Sequence, residues 1–401
     1  MSLMDFDPVV VENLDKLTEF RRDLHAYPEL LYDLPRTSSR VAEALRRIGC
    51  DEVVEGVGGT GIVATIRGAT NSSGRSIGLR ADMDALPVLE TGDSAWKSRI
   101  AGRMHACGHD GHTTMLLGAA EALAKQRNFD GTVVLIFQPA EEGGAGARAM
   151  IEDGLFDRWP VDEVYAIHNR PGLAVGHFTI APGPIMGSVD AIDIVLRGVG
   201  AHAAAPQDGV DPVPATAALI QAVQTIAARN IDPIDSAVVS ITTIHGGDAF
   251  NVIPESIRLT GTVRTLRETV RNRIEKRLHE LVEGISEAFG ISGELKYTRS
   301  YPVTVNHPQE TEYAAQAAET VAGPASVTRD MPPSLAGEDF AFMLAVKPGA
   351  LINIGNGPSA GLHHPAYDFA DEALGWGSTF WCNLVRQRLP LSASSGEAVQ
   401  P

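Results

Sequence analysis

Residues 104–112, MHACGHDGH, set one thiol, three imidazoles and one carboxylate in a single short stretch. In an extended turn a Cys-x-His spacing points both side chains to one side, so Cys107 and His109 can reach the same metal ion. Thiolate, imidazole and carboxylate together suit zinc or a neighbouring divalent transition metal, whereas an all-oxygen set would suit magnesium or calcium. A second stretch, Pro139-Ala140-Glu141-Glu142, carries adjacent carboxylates. One of them can bind metal while the other takes a proton from water, the division of labour that metal-assisted hydrolysis requires. Each feature also has a plainer reading. The PAEE stretch alone is equally the first turn of a helix, with acids favoured by the dipole. A lone His at a strand end is more often a hydrogen-bonded structural residue than a ligand. His105 and His112 read as supports of a site or as purely structural. Asp82 and Asp84 read as turn residues or, flanking one Met at a strand end, as carboxylates that orient a ligand. The 337–340 stretch, GEDF, is as suited to starting a helix as to touching a substrate.

The elements around these residues decide between the readings. NLDKLTEFRRDLHAYPEL and RTSSRVAEALRRIG are patterned as helices, and GIVATIRG, SIGLRAD, TVVLIFQ, EVYAIHN and ALINIGN as buried strands. DGHTTMLLGAAEALAKQR reads as a helix that Asp110 caps. Helices alternating with short apolar runs predict an α/β layer fold with a largely parallel sheet. In such sheets sites collect outside the carboxyl ends of the strands. There SIGLR runs into Asp82 and Asp84, TVVLIFQ into Glu141 and Glu142, EVYAI into His168, and ALINIGN towards LHHPAYDF with His363 and His364. The coincidence of these groups at strand ends favours one shared cleft over separate structural roles.

After the Pro/Gly stretch at 180–188 the texture changes. Two long helical patterns fall among four strands, which predicts a small α+β domain with a four-stranded sheet and two helices, inserted into the larger one. The expected boundaries are 1–186 with 300–391 for the catalytic domain, 187–299 for the insert, and 392–401 for a flexible tail.

Composition excludes several classes. A chain of 401 residues, 44% of them hydrophobic, can fill two cores. A formal charge of −17 with no basic run argues against nucleic acid, whose phosphates need clustered Lys and Arg. Three scattered cysteines, no signal-like segment and no long apolar run predict a cytoplasmic protein with no membrane partner.

Taken in order and spacing, RADMDALP, MHACGHDGHTTMLLGAA, QPAEEGGAGA, GAHAAAPQDGVDP, FNVIPESIRLTGTVRT and LHHPAYDF resemble the dinuclear metal amidohydrolases of the aminoacylase and carboxypeptidase class. Within that class the chain is most similar to the subfamily of hippurate hydrolases, indole-3-acetyl-amino-acid hydrolases and N-acetyl-diaminopimelate deacetylases. The resemblance runs over nearly the whole chain. It departs from the usual pattern at Asp33-Leu34-Pro35 and at Ala101, away from the ligand positions.

The resemblance implies two divalent metal ions per subunit, whether zinc, manganese, nickel or cobalt, held by Cys107, His109, Glu142, His168 and His363, with the Cys107 thiolate bridging. It implies Glu141 as the proton shuttle, the insert as a lid and dimerisation domain, and His202 as a catalytic group entering the partner subunit's site. Asn251 and Arg264 become candidates for holding the substrate carboxylate. Asp82 and Asp84 would support the ligands from behind. Next to His363, His364 is a second candidate for the same place, and the sequence alone does not choose. The expected activity is metal-dependent hydrolysis of the amide of a small-molecule N-acyl amino acid by a homodimer or a dimer of dimers. The rivals are a dipeptidase or carboxypeptidase of the same class, a catalytically silent binding protein on this fold, and a structural metal protein, which predicts closed Cys/His sites.

Overall fold

A computed structural model describes residues 6–391; the segment expected as a tail, 392–401, lies outside them. Two compact units divide the chain. The larger comprises the described residues up to Gly183, Val305–Pro332, and the described residues from Phe342 on. The smaller comprises Pro184–Thr304 and Pro333–Ala341. The stretch Pro333–Ala341, expected in the catalytic part, thus belongs to the insert. Backbone pairing holds it there: Ser334 bridges Met186, and the Gly187 N–H donates to Ala336 O at 2.9 Å.

The larger unit is a mixed α/β structure. Its eight-stranded sheet runs, edge to edge, Glu52–Val57, Gly61–Arg67, Thr132–Gln138, Ser76–Asp82, Glu163–Arg170, Gly349–Gly355, Phe178–Thr179 and Val327–Thr328. The middle four strands are mutually parallel. Towards the margins, Gly61–Arg67 pairs antiparallel with both of its neighbours, and Phe178–Thr179 antiparallel with Gly349–Gly355. The central strands read as nearly continuous apolar runs because both faces are covered. Val133, Leu135, Ile136 and Phe137 are buried without exception, as are Leu351, Ile352 and Ile354.

Helix Pro8–Ala26 starts at a proline and is capped by Asp7, whose Oδ1 accepts the Val9 N–H at 2.9 Å. Helices Pro35–Ile48, His109–Gln126, Pro308–Ala322 and Ala373–Arg388 complete the apolar layers. The last two were not anticipated. The buried face of the first of them is mostly Ala, so its apolar period is faint; the second buries Leu374, Phe380, Trp381, Leu384 and Val385 together with Gly and small polar residues, so its burial does not follow one apolar stripe.

The smaller unit carries a four-stranded antiparallel sheet in the order Ala237–His245, Ser256–Thr265, Val189–Arg197, Ser292–Tyr301. Helices Pro212–Thr225 and Glu268–Phe289 pack on it around Ile192, Ile194, Leu219, Leu259, Ile274 and Leu278. No helix among the described residues is long and apolar enough to cross a membrane.

One expectation fails. Asp110 does not cap its helix, which begins at His109 with Gly108 in the left-handed conformation at the N-cap and no side-chain cap. The Asp110 carboxylate is buried instead, 2.9 Å from His25 Nδ1 and 3.5 Å from Arg21 Nη1. A fully buried carboxylate is kept by such partners, where a cap exposed to water would gain far less. His25 Nε2 reaches Glu90 at 3.3 Å, so one imidazole ties the first helix both to helix His109–Gln126 and to the loop before it. Burial disfavours the His25 cation, but hydrogen bonds to Asp110 and Glu90 outweigh it and raise its pKa to about 9.

A raised pKa contributes stability that is complete below the ordinary value of 6.5 and is lost as pH rises through about 9. The stability advantage of the unsubstituted chain over His25→Gln, read by urea unfolding, should shrink by about 3 kcal/mol between mildly acidic and strongly alkaline pH. An advantage that does not change with pH would show that His25 carries no charge in the fold.

Candidate metal centre

Strand Ser76–Asp82 delivers Asp82 to its carboxyl end, fully buried. Its Oδ2 accepts from Arg80 Nη1 at 2.7 Å and its Oδ1 pairs with His112 Nδ1 at 2.6 Å. Burial works against this carboxylate, but Arg80, His109 and His112 outweigh it and hold its pKa well below the usual range. The ionised Asp82 therefore keeps the proton of His112 on Nδ1. Burial also pushes the His112 pKa down to about 4, so its ring is neutral.

Asp84, two residues on, accepts the Glu141 N–H at Oδ1, 2.9 Å, and the Glu142 N–H at Oδ2, 3.1 Å. Its main-chain oxygen accepts from His109 Nδ1 at 2.8 Å. One residue thereby orients both glutamates and the His109 ring. PAEE is not a helix first turn: a turn covers 141–144, preceded by Ala140 at φ 52°, and the helix starts at Gly146. In GEDF the helix begins only at Ala341, and Glu338 Oε1 accepts the Phe340 N–H at 2.9 Å.

With Nδ1 committed to Asp84, the Nε2 of His109 faces the other donors. It is buried and has no hydrogen-bond partner, standing 3.7 Å from Asp82 Oδ2 and 3.9 Å from Glu142 Oε1. Cys107 Sγ lies 3.5 Å from His168 Nε2, and His168 Nδ1 donates to Asn169 O at 2.7 Å, which leaves Nε2 for another partner. His363 Nε2 is 3.2 Å from Glu142 Oε1. His363 takes a left-handed backbone, φ 65°, stabilised by its N–H donating to Ala106 O at 2.8 Å. Such strain in a non-glycine residue concentrates at functional sites. The neighbouring His364 turns back on its own loop, its Nδ1 accepting the Ala366 N–H at 3.0 Å.

Two of the sets of three donors found among the described residues share Cys107, one with His109 and His168 and one with Glu142 and His363, the ligand atoms of each set lying within 4.8 Å of one another. Cys107 belongs to both. Glu141 forms a further set with His109 and Glu142. The residues fit divalent transition metals on two observations. The donors are sulfur, nitrogen and oxygen rather than oxygen alone, and the orphaned His109 Nε2 is a buried nitrogen that a cation would satisfy. Burial and the nearby Glu142 and Glu141 push the Cys107 thiol well above its ordinary pKa against the pull of His109, so a cation is what would release its proton. Burial works against the Glu142 carboxylate, but the His363 hydrogen bond and His109 hold its pKa below the ordinary value.

The remaining candidates lie in the smaller unit. His202 is exposed in a two-residue strand paired with Val252–Ile253, its Nδ1 accepting the Ala204 N–H at 3.0 Å. Asn251 O accepts the Ala203 N–H at 3.0 Å, and His202 and Asn251 line one surface depression with His245, Asp248 and Arg258. Arg264 is not in that lining; it is half-buried, with Nε donating to Thr262 Oγ1 at 3.1 Å. His105 is buried, with neither ring nitrogen hydrogen-bonded, and burial pushes its pKa down to about 3. Sequence reasoning missed Asn169 and Tyr367, which sit directly behind the donors. The only signal for them was their place within EVYAIHN and LHHPAYDF.

The pattern of peptidase family M20/M25/M40 matches residues 78–387. A hippurate hydrolase of Campylobacter jejuni is 38% identical over 386 residues, covering 96% of this chain and 100% of its own. An N-acetyl-L-cysteine deacetylase of Bacillus subtilis is 40% identical, covering 97% and 92%. Among solved structures, a Bacillus subtilis protein described as a dinuclear metal-binding peptidase from the M20 family superposes with a TM-score of 0.83 at 33% identity, covering 94% of this chain and 98% of that one.

Proposed function

The chain belongs to peptidase family M20/M25/M40, and on that premise we propose that it is a metal-dependent amidohydrolase. It hydrolyses the amide of N-acyl amino acids, hippurate-like or with acetyl or aryl-acyl groups, to a carboxylic acid and an amino acid. The observation that carries this reading is the pair of donor sets sharing Cys107, with Glu141 beside them. Cys107, His109, Glu142, His168 and His363 would hold two divalent ions. When bound, the ions supply Lewis-acid polarisation of the substrate carbonyl and lower the pKa of water. Zinc, manganese, nickel and cobalt all suit the donors.

Glu141 takes the proton of the attacking water on its carboxylate and returns it to the amide nitrogen as the C–N bond breaks, so the amino acid leaves as a neutral amine. Asp84 holds the Glu141 main chain for that exchange. His202, offered by the lid of a second copy in a homodimer, donates a hydrogen bond to the oxygen on which negative charge develops. Asn251 and Arg264 hold the free carboxylate of the substrate. The three free cysteines support a reducing cytoplasm as the location.

Glu141→Gln should retain bound metal and lower kcat for hippurate by roughly 10²- to 10⁴-fold, the contribution of a positioned general base, whereas Glu142→Gln should lose metal. The reverse pattern would refute this division of roles. Turnover of unblocked dipeptides in preference to hippurate by the metal-loaded enzyme would make it a dipeptidase instead.

For His202, Glu141→Ala and His202→Ala chains should each be nearly inactive. Mixed under conditions of subunit exchange, random pairing makes about half the dimers hetero, each with one intact site, so roughly a quarter of full activity should return. A mixture no more active than its components, with exchange verified, would rule out action across the dimer.

A further inference from the structure

Asn169 follows His168 at the end of strand Glu163–Arg170 and is buried. Every polar group it owns is engaged. Its Nδ2 donates to Cys107 O at 2.5 Å and approaches His112 Nε2 at 3.0 Å. Its Oδ1 accepts from the Tyr367 hydroxyl at 2.8 Å, and its main-chain N–H donates to His112 Nε2 at 2.9 Å. Its main-chain oxygen accepts from His168 Nδ1. The partners dictate the orientation of the amide. Asp82 keeps the His112 proton on Nδ1, so His112 Nε2 can only accept, and Cys107 O can only accept; both must face the NH₂ group. The tyrosine hydroxyl then donates to the remaining oxygen.

The space is built for this contact. Gly108, at φ 86°, lies so close that a Cβ there would come within 2.3 Å of Asn169 Nδ2 and 2.5 Å of the Tyr367 hydroxyl. Only glycine fits between them.

We infer that Asn169 is a positioning residue for the metal centre. One side-chain amide sets the main chain of Cys107 and, through Tyr367, the segment that carries His363, while the carbonyl of the same residue sets the ring of His168. Three of the five proposed ligands, from three separate stretches of chain, thus take their places from one residue that touches no metal. Partners of this kind typically change metal affinity by about 10- to 100-fold. The inference rests on the ligand set proposed above.

The test uses cobalt(II) added to the metal-free full chain, following the near-ultraviolet charge-transfer absorption of a cobalt–thiolate bond. Cys107→Ser should abolish that absorption, and its survival there would refute the ligand set itself. Given that result, Asn169→Ala should bind cobalt about 10- to 100-fold more weakly while the absorption still develops at saturation. Tyr367→Phe, which removes one hydroxyl and keeps the ring, should weaken binding several-fold. Asn306→Ala is the structural control. Asn306 is equally buried in the same unit and binds Ala181 O, Leu351 O and Leu351 N–H, away from the donors. It should lose stability and keep its cobalt affinity. Unchanged affinity in Asn169→Ala, or an equal loss in Asn306→Ala, overturns the inference. If Asn169→Ala does not fold, Tyr367→Phe decides, and unchanged affinity there overturns it.

Discussion

Asp84 joins, through three hydrogen bonds, the two loops that any chemistry here has to bring together. Its carboxylate receives the main-chain N–H groups of Glu141 and Glu142, and its carbonyl receives His109. A carboxylate buried this deeply is tolerable because each oxygen is satisfied, and it is informative because its partners are then fixed in direction. His109 Nε2 is left facing Glu142, without a hydrogen bond, at the position where a cation would make up the deficit. The adjacent glutamates divide in the same way: Glu142 meets His363, and Glu141 stands next to it in the set with His109.

Behind this surface lies a polar layer whose members neutralise one another. Arg80 pairs with Asp82, Asp82 holds His112 in one tautomer, and His112 receives Asn169. Arg21, Asp110, His25 and Glu90 form a second buried group. Removing one partner of such a buried pair strands the other charge, so these groups stand or fall together. That suits a site in which donors from separate strands must converge without a metal to gather them first.

Much of this was legible in the sequence, for a physical reason. A side chain at the carboxyl end of a buried parallel strand has its position set by the strand, so Asp82, Asp84, Glu141, Glu142 and His168 could be put in one region from apolar runs alone. The structure brings them together with Cys107, His109 and His363. What escaped depends on contacts distant along the chain. Asp110 looks like a helix cap until His25, 85 positions away, claims its carboxylate. Asn169 and Tyr367 are 198 positions apart, and neither has a pattern of its own. The choice between His363 and His364 turns on one left-handed residue, and no periodicity encodes that. Helix Pro308–Ala322 escaped because its buried face is mostly alanine, which marks no stripe, and Ala373–Arg388 because it is buried nearly all round, bulky and small residues alike. The inserted unit was the easier fold to read, since alternating strands and long amphipathic helices announce a sheet covered by helices.

The central claim is that Cys107 stands between two metal ions. Diffraction from crystals of the metal-reconstituted protein, collected at the absorption edge of the added metal, tests it most directly. Two anomalous peaks about 3.5–4 Å apart are expected, the spacing of two-metal hydrolytic sites, one beside His109 and His168, the other beside Glu142 and His363, with the Cys107 sulfur in reach of both. A single peak, or peaks away from Cys107 in a fully metal-loaded crystal, would contradict the account.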